Sequence, residues 1–194
     1  MSLPRPLPTF PAEEYQWLER GSELRHEYLD GLVYAMAGES LAHSTICFNL
    51  AALIGPQLRG TPCRGFSPNM KVRTGTGRLY AYPDQMIVCG EPKFHDKQRD
   101  VLLNPTVIIE VLSPSTEAYD RGEKFLRYRT EIESLQDYVL VAQHEPRVEH
   151  YRRQPGDEWP MTAVSGLDAV LELPTIACRL PLSEVYDRVA FGDG

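Results

Sequence analysis

The chain has 194 residues, 42% of them hydrophobic, with 27 acidic against 20 basic side chains and a net charge of −7. At roughly 100–200 residues per domain this predicts a single domain, 1–194, large enough for a sizeable core. The acidic balance argues against a protein that coats nucleic acid but leaves room for a local basic site, and no apolar run approaches the roughly 18 residues of a membrane span.

Residues 1–10 are proline-rich and read as an extended arm. Pro11 to Leu18 reads as a short helix, with Pro and acids where a first turn favours them, ended by Gly21. Asp30-Gly31, between Arg25–Leu29 and Leu32–Met36, is a strong hairpin signal because both residues tolerate the positive φ of a type I′ turn. Ser40 can cap a long helix over about Leu41–Leu58, with Ile46, Leu50, Leu53 and Ile54 on one face. Strands follow near Arg64–Phe66 and Asn69–Arg73, then a Gly75–Gly77 turn, a strand carrying Asp84, and a polar loop from Glu91 to Asn104. Val107–Leu112 is a buried strand holding one acid, Glu110. Asp120 and Glu123 have capping-box spacing and predict a helix start there, with Lys124 in the first turn. Strands at Asp137–Ala142, Arg147–Arg153 and Trp159–Val164 and a short helix at Leu182–Val189 complete the chain. The expected order is αββαβββαβββ with a mixed sheet. Cys47, Cys63, Cys89 and Cys178 form no CxxC pair and read as reduced, mostly core thiols of a cytoplasmic protein.

An ionised carboxylate inside an apolar strand must be paired, hydrogen-bonded or metal-bound. Period-two alternation puts Asp84 with Met86 and Val88, and Glu110 with Ile108 and Leu112, on single faces of their strands. If the strands pair, two hard oxygen ligands converge, a set suited to Mg²⁺ or Mn²⁺. Lys124 nearby would stabilise developing negative charge or orient water. From spacing alone, a structural ion pair stands level with this reading.

Tyr82-Pro83-Asp84, the run Ile109 to Ser115, Asp120 to Lys124 and Tyr128 resemble, in order and spacing, the putative restriction endonuclease (Uma-type) family of the PD-(D/E)XK nuclease superfamily. Glu27 to Gly31, His43 and the run Leu135 to Val141 resemble it too, so the likeness spans most of the chain, roughly residues 8–188. It implies an α/β, restriction-endonuclease-like mixed sheet flanked by helices, with an N-terminal hairpin and C-terminal strands. It also implies Mg²⁺- or Mn²⁺-dependent hydrolysis of nucleic acid, DNA being the expected polymer. Catalysis would fall to Asp84, Glu110 and Lys124, with Asp84, Glu110 and the backbone carbonyl of Val111 as metal ligands. The lysine of the (D/E)XK pattern would fall at Leu112, which carries no charge, so Lys124 on the next helix stands as a migrated replacement.

Four further residues are accessory candidates. Arg121 and Tyr128 share a helix face with Lys124 and, with Lys71, Arg73 and Arg78, form either a phosphate-facing patch or a solvated face. Glu27 matches the place of an accessory acid or is an exposed hairpin residue. His43 orients water or phosphate, or it packs in the first turn of its helix. A homodimer is expected, since a duplex cut on both strands needs two sites. The arm with Phe10 and Trp17 would then offer apolar surface. The alternative from another class is a non-catalytic dimeric binding module on a degenerate nuclease fold.

Overall fold

The computed structural model describes residues 9–36 and 38–191, so most of the proline-rich arm lies outside the described residues. Helix α1 (Ala12–Gly21) leads into strands β1 (His26–Leu29) and β2 (Leu32–Ala35), joined as expected at Asp30 and Gly31, whose φ angles are 51° and 90°. A side chain at Gly31 would also strike Thr9, since a Cβ there would sit 2.7 Å from the threonine Cβ. Helix α2 (Leu41–Gln57) starts where Ser40 accepts a hydrogen bond from the His43 amide. Pro56, in the last turn, gives up one i→i−4 hydrogen bond just before the helix ends at Gln57. Then come β3 (Cys63–Phe66), β4 (Lys71–Arg73), β5 (Leu79–Ala81), β6 (Gln85–Cys89), β7 (Val101–Leu102) and β8 (Val107–Leu112). A helical segment has three parts, α3 (Glu117–Tyr119), a π turn (Asp120–Lys124) and α4 (Phe125–Glu131). Strands β9 (Asp137–Ala142), β10 (Arg147–Arg152), β11 (Met161–Ser165), β12 (Val170–Leu173) and β13 (Cys178–Pro181) follow, and α5 (Leu182–Val185) closes the described chain.

The mixed α/β arrangement expected is present, its strands divided between two main mixed sheets. The six-stranded sheet has the order β11-β10-β9-β8-β6-β3 and the five-stranded sheet β2-β1-β5-β4-β7, while β12 and β13 make a separate hairpin. Short strands such as β4 and β5 carry no period long enough to reveal which sheet they join. Strand β7 lies inside the loop expected at Glu91–Asn104, and its two residues are too few for a pattern to register. The β8·β9 pair is parallel, so the α3–α4 segment serves as its crossover.

Every residue of β8 is buried. On one face, Ile109 and Val111 pack with Ile46, Leu50 and Ile54 of α2 and with the β12–β13 hairpin. On the other, Ile108 and Leu112 pack with Phe125 and Tyr128 of α4 and with Val72, Leu79 and Ala81 of the second sheet. Burying each such large side chain contributes about 1.5–3 kcal/mol, which is why β8 holds its acid in a fixed place. Cys63 and Cys89 face each other in the β3·β6 register and form a disulfide, leaving Cys47 and Cys178 free. This corrects the expectation of four reduced thiols; their separation of 26 residues concealed that the sheet makes them neighbours. Among the described residues, no helix is long and apolar enough to cross a membrane.

Candidate active site

Strands β6 and β8 run antiparallel with Gln85 opposite Ile109 and Met86 opposite Ile108. Continued by one residue, that register sets Asp84 opposite Glu110, and paired residues of an antiparallel ladder share a face. Pro83 supplies no amide to a ladder, so β6 begins only at Gln85. Asp84 is thereby left at the strand entrance, and its Oδ2 accepts a 2.7 Å hydrogen bond from the Val111 amide. Asp84, Glu110 and Val111 all border one groove of about 700 Å³. Arg25, Ser113, Ser115 and Lys124 line it as well.

Lys124 is the centre of a buried charge cluster. Its Nζ lies 3.0 Å from Glu110 Oε1, 3.3 Å from Glu27 Oε1 and 3.3 Å from Asp120 Oδ1, with the lysine only 5% exposed. The π turn carries this lysine. Within it Asp120 and Lys124 are buried, and Tyr138 Oη donates to the Asp120 carbonyl at 2.9 Å. Glu27 arrives from the hairpin, and the Tyr82 amide donates to it at 3.1 Å. Asp30 in the turn pairs with Arg127 of α4, tying the strand that carries Glu27 to the helix that follows Lys124.

Three carboxylates around one ammonium leave excess negative charge. Burial, reinforced by Asp120, Asp84 and Glu27, pushes the Glu110 carboxyl well above the usual range, although Lys124 pulls it the other way. Burial alone would lower Lys124, but Glu110 and Glu27 outweigh it and hold the ammonium well above its ordinary value. The two directions agree: in a cluster short of positive charge the lysine keeps its proton and Glu110 tends to acquire one. Neither Glu110 Oε1 nor Asp120 Oδ1 has an aligned hydrogen bond, so both rest on charge attraction to Lys124. A divalent cation beside Asp84 and Glu110 would relieve this deficit, and the hard oxygen donors present fit Mg²⁺ or Mn²⁺.

His43 stands on the other side of Asp84. Its Nε2 is 3.3 Å from Asp84 Oδ2, and the ring also lies toward the Val111 carbonyl. Burial lowers the affinity of His43 for a proton, but the hydrogen bond to Asp84 and the charges of Asp84 and Glu39 raise it by more. This histidine therefore adjoins the acids instead of serving only to pack the helix.

Two accessory candidates lie elsewhere. Arg121 is held by Glu117 at 2.8 Å and by Glu149, on the flank away from the groove. Tyr128 is fully buried against Tyr138, its hydroxyl unpartnered, and does not border the groove. Tyr128, one turn beyond Lys124, is buried beside the charge cluster, whereas Arg121 is turned to Glu149. Nor do Lys71, Arg73 and Arg78 extend a patch toward the groove: Lys71 pairs with Asp100 at 3.2 Å and Arg78 with Asp30 at 2.6 Å. The capping-box spacing predicts Asp120 as a helix cap, but the helical segment opens at Glu117 and Asp120 is a buried partner of Lys124. The i, i+4 spacing of Asp120 and Lys124 was the available signal. Cys47, read only as a core thiol, stands one turn beyond His43 with the same spacing, its Sγ 3.7 Å from His43 Nδ1.

Comparison with known proteins gives a consistent picture. A family model described as "Uma2: Putative restriction endonuclease" matches residues 12–183. Two Synechocystis proteins, described as uncharacterized proteins slr1290 and sll1609, are 36% and 35% identical over 187 and 161 residues. The first match covers 96% of both chains, the second 83% of this chain and 90% of the relative. The crystal structure of a putative nuclease belonging to DUF820 from Anabaena variabilis superposes with a TM-score of 0.76 at 18% identity, covering 93% of this chain and 99% of the other. At that identity the likeness concerns the fold, a mixed α/β arrangement of sheets flanked by helices.

Proposed function

This chain belongs to the Uma2 putative restriction endonuclease family, and on that premise we propose that it is a metal-dependent nuclease that cleaves nucleic-acid phosphodiester bonds, with DNA as the first substrate to test. Asp84, Glu110 and the Val111 carbonyl would hold Mg²⁺ or Mn²⁺, and Lys124 is the catalytic cation. The observation that carries this reading is the conjunction of two opposed acids with a buried ammonium 3.0 Å from one of them, at the edge of an open groove. A bound divalent ion would supply Lewis acidity toward the phosphoryl oxygen and lower the pKa of a bound water.

The rest of the chemistry belongs to the chain. Lys124 presents a fixed positive charge to the pentavalent phosphorane as negative charge grows on its oxygens, a role in which a preorganised donor is worth about 10²–10³ in rate. Glu27 and Asp120 keep that ammonium charged and aimed. This answers the absence of a lysine at Leu112, a position buried in the core facing α4. Arg25 and the hydroxyls of Ser113 and Ser115, all bordering the groove, orient the backbone phosphate. An acidic protein thus meets a polyanion through a few local cations. Cutting both strands of a duplex calls for two sites, so the proposal includes a homodimer, for which Trp17, 76% exposed on α1, offers apolar surface.

The test is cleavage of supercoiled plasmid, single-stranded DNA and RNA by the parent protein, Asp84→Asn and Lys124→Met, each with Mg²⁺, Mn²⁺ or chelator. Metal-dependent cleavage by the parent alone is expected. Parent cleavage that persists in both variants refutes the site, and binding without cleavage of any of the three polymers refutes the enzyme in favour of a non-catalytic module.

A further inference from the structure

We propose that His43, Cys47 and Asp84 form a second, thiophilic metal site that shares Asp84 with the acid pair, so that a zinc-class cation bound there opposes Mg²⁺-dependent cleavage. Binding at this site stands on its own residues; only the opposition to cleavage rests on the nuclease reading.

One donor atom from each of the three residues lies within 4.8 Å of the others. Helix geometry makes two of them neighbours, because His43 and Cys47 are one turn apart on the same face of α2. The contacts between neighbours are 3.7 Å from Cys47 Sγ to His43 Nδ1 and 3.3 Å from His43 Nε2 to Asp84 Oδ2. Ligand atoms of a tetrahedral zinc, at bond lengths near 2.0–2.3 Å, sit roughly 3.3–3.8 Å apart. The imidazole shows Nδ1 to the thiol and Nε2 to the carboxylate, so ligation by one nitrogen requires a rotation of the ring. The scaffold is set beforehand: Ser40 caps the helix at the His43 amide, and Gln85 Nε2 donates to the Cys47 carbonyl at 3.4 Å.

The donor set differs in kind from the acid pair. One sulfur, one imidazole nitrogen and one carboxylate oxygen suit Zn²⁺ or Co²⁺, whereas an all-oxygen set suits Mg²⁺. A thiolate and a carboxylate also neutralise a dication, with the imidazole neutral. Three protein ligands leave a fourth position for water, and His43 and Asp84 border the open groove. Because Asp84 belongs to both sets, occupation by the softer cation draws its carboxylate toward α2 and away from Glu110.

Titration of the metal-free full-length protein with Co²⁺ decides the matter. One equivalent should produce a near-ultraviolet sulfur-to-cobalt charge-transfer band and visible tetrahedral bands, both displaced by Zn²⁺ and not by excess Mg²⁺. Cys47→Ser should abolish the sulfur band and weaken Co²⁺ binding by at least about tenfold. Cys178→Ser, which alters the other free thiol, should leave it intact. No band in the parent, or a band that survives Cys47→Ser, overturns the site. In cleavage assays, Zn²⁺ should inhibit the parent at least about tenfold more strongly than Cys47→Ser, with equal Mg²⁺-dependent rates in the two. A Co²⁺ band together with cleavage indifferent to Zn²⁺ overturns the opposition, while a protein without cleavage activity is still judged on the cobalt spectrum.

Discussion

Replacing Lys124 with Met keeps the length of the side chain and removes what is, among the described residues, the only positive charge that touches Glu110, Glu27 and Asp120 within 3.3 Å. Removing one partner of a buried ion pair usually costs about 3–5 kcal/mol, because an uncompensated charge stays behind. Here the acids can escape part of the loss by taking up protons. Each proton bound costs about 1.36 kcal/mol per pH unit above the ordinary glutamate value near 4.3. For one proton, that caps the loss near 1 kcal/mol at pH 5, and by pH 8 the full 3–5 kcal/mol is exposed. The sign follows from linkage. The folded variant holds Glu110 above its unfolded value, so folding binds protons and stability falls as pH climbs from about 4.3 through the raised folded value. Without the ammonium this fall should continue to higher pH than in the parent, where Lys124 already pulls Glu110 down. Calorimetric melts of metal-free protein should then show Lys124→Met lower by about 6–20 °C at pH 8, at 2–4 °C per kcal/mol for a chain of this size. At pH 5 the gap should shrink to a few degrees. An equal gap at both pH values, or none at pH 8, would refute the argument that this lysine neutralises a carboxylate cluster.

Asp84→Asn should shift the metal-free melting temperature little, since relief of the repulsion with Glu110 offsets the lost attraction to His43. It should lose most of the stabilisation that Mg²⁺ or Mn²⁺ confers on the parent, which metal-dependent melts measure. Asp100, paired with Arg20 through two hydrogen bonds, has its carboxyl held down to about 2 by that contact. A depressed carboxylate stabilises the fold above its unfolded value and loses this as pH falls toward the folded one, so Asp100→Asn should trail the parent at neutral pH and converge with it between about pH 4 and pH 2. Tyr128→Phe deletes a buried hydroxyl with no partner and should hold or raise stability by about 1 kcal/mol in urea unfolding. Removing the disulfide with Cys63→Ser and Cys89→Ser should lower unfolding free energy by about 2–4 kcal/mol, since it frees a loop of 26 residues in the unfolded chain.

Local chemistry was legible from the sequence because its signals are short-range. Asp30-Gly31 adopts positive φ and makes the turn it announces; Ser40 caps the helix whose first amides it satisfies; the apolar run Val107–Leu112, interrupted only by Glu110, makes a strand covered on both faces. Period-two alternation likewise put Asp84 and Glu110 on faces that the antiparallel register brings together. Other features depended on which distant segments meet, and no local period carries that information. Short strands sort into two sheets through pairing partners, and Cys63 finds Cys89 only because β3 lies on β6. The π turn cannot be read from a helical repeat, since its one extra residue breaks that repeat. It leaves Arg121 to Glu149, while Asp120, four residues before Lys124, faces the lysine. Glu27 and Lys124 are nearly a hundred residues apart, and only the packing of the hairpin against the helical segment makes an ion pair of them. The sequence by itself determined which residues carry charge in apolar strands; tertiary structure decided which of those charges share one groove, because electrostatic energy depends on distance through space and not along the chain.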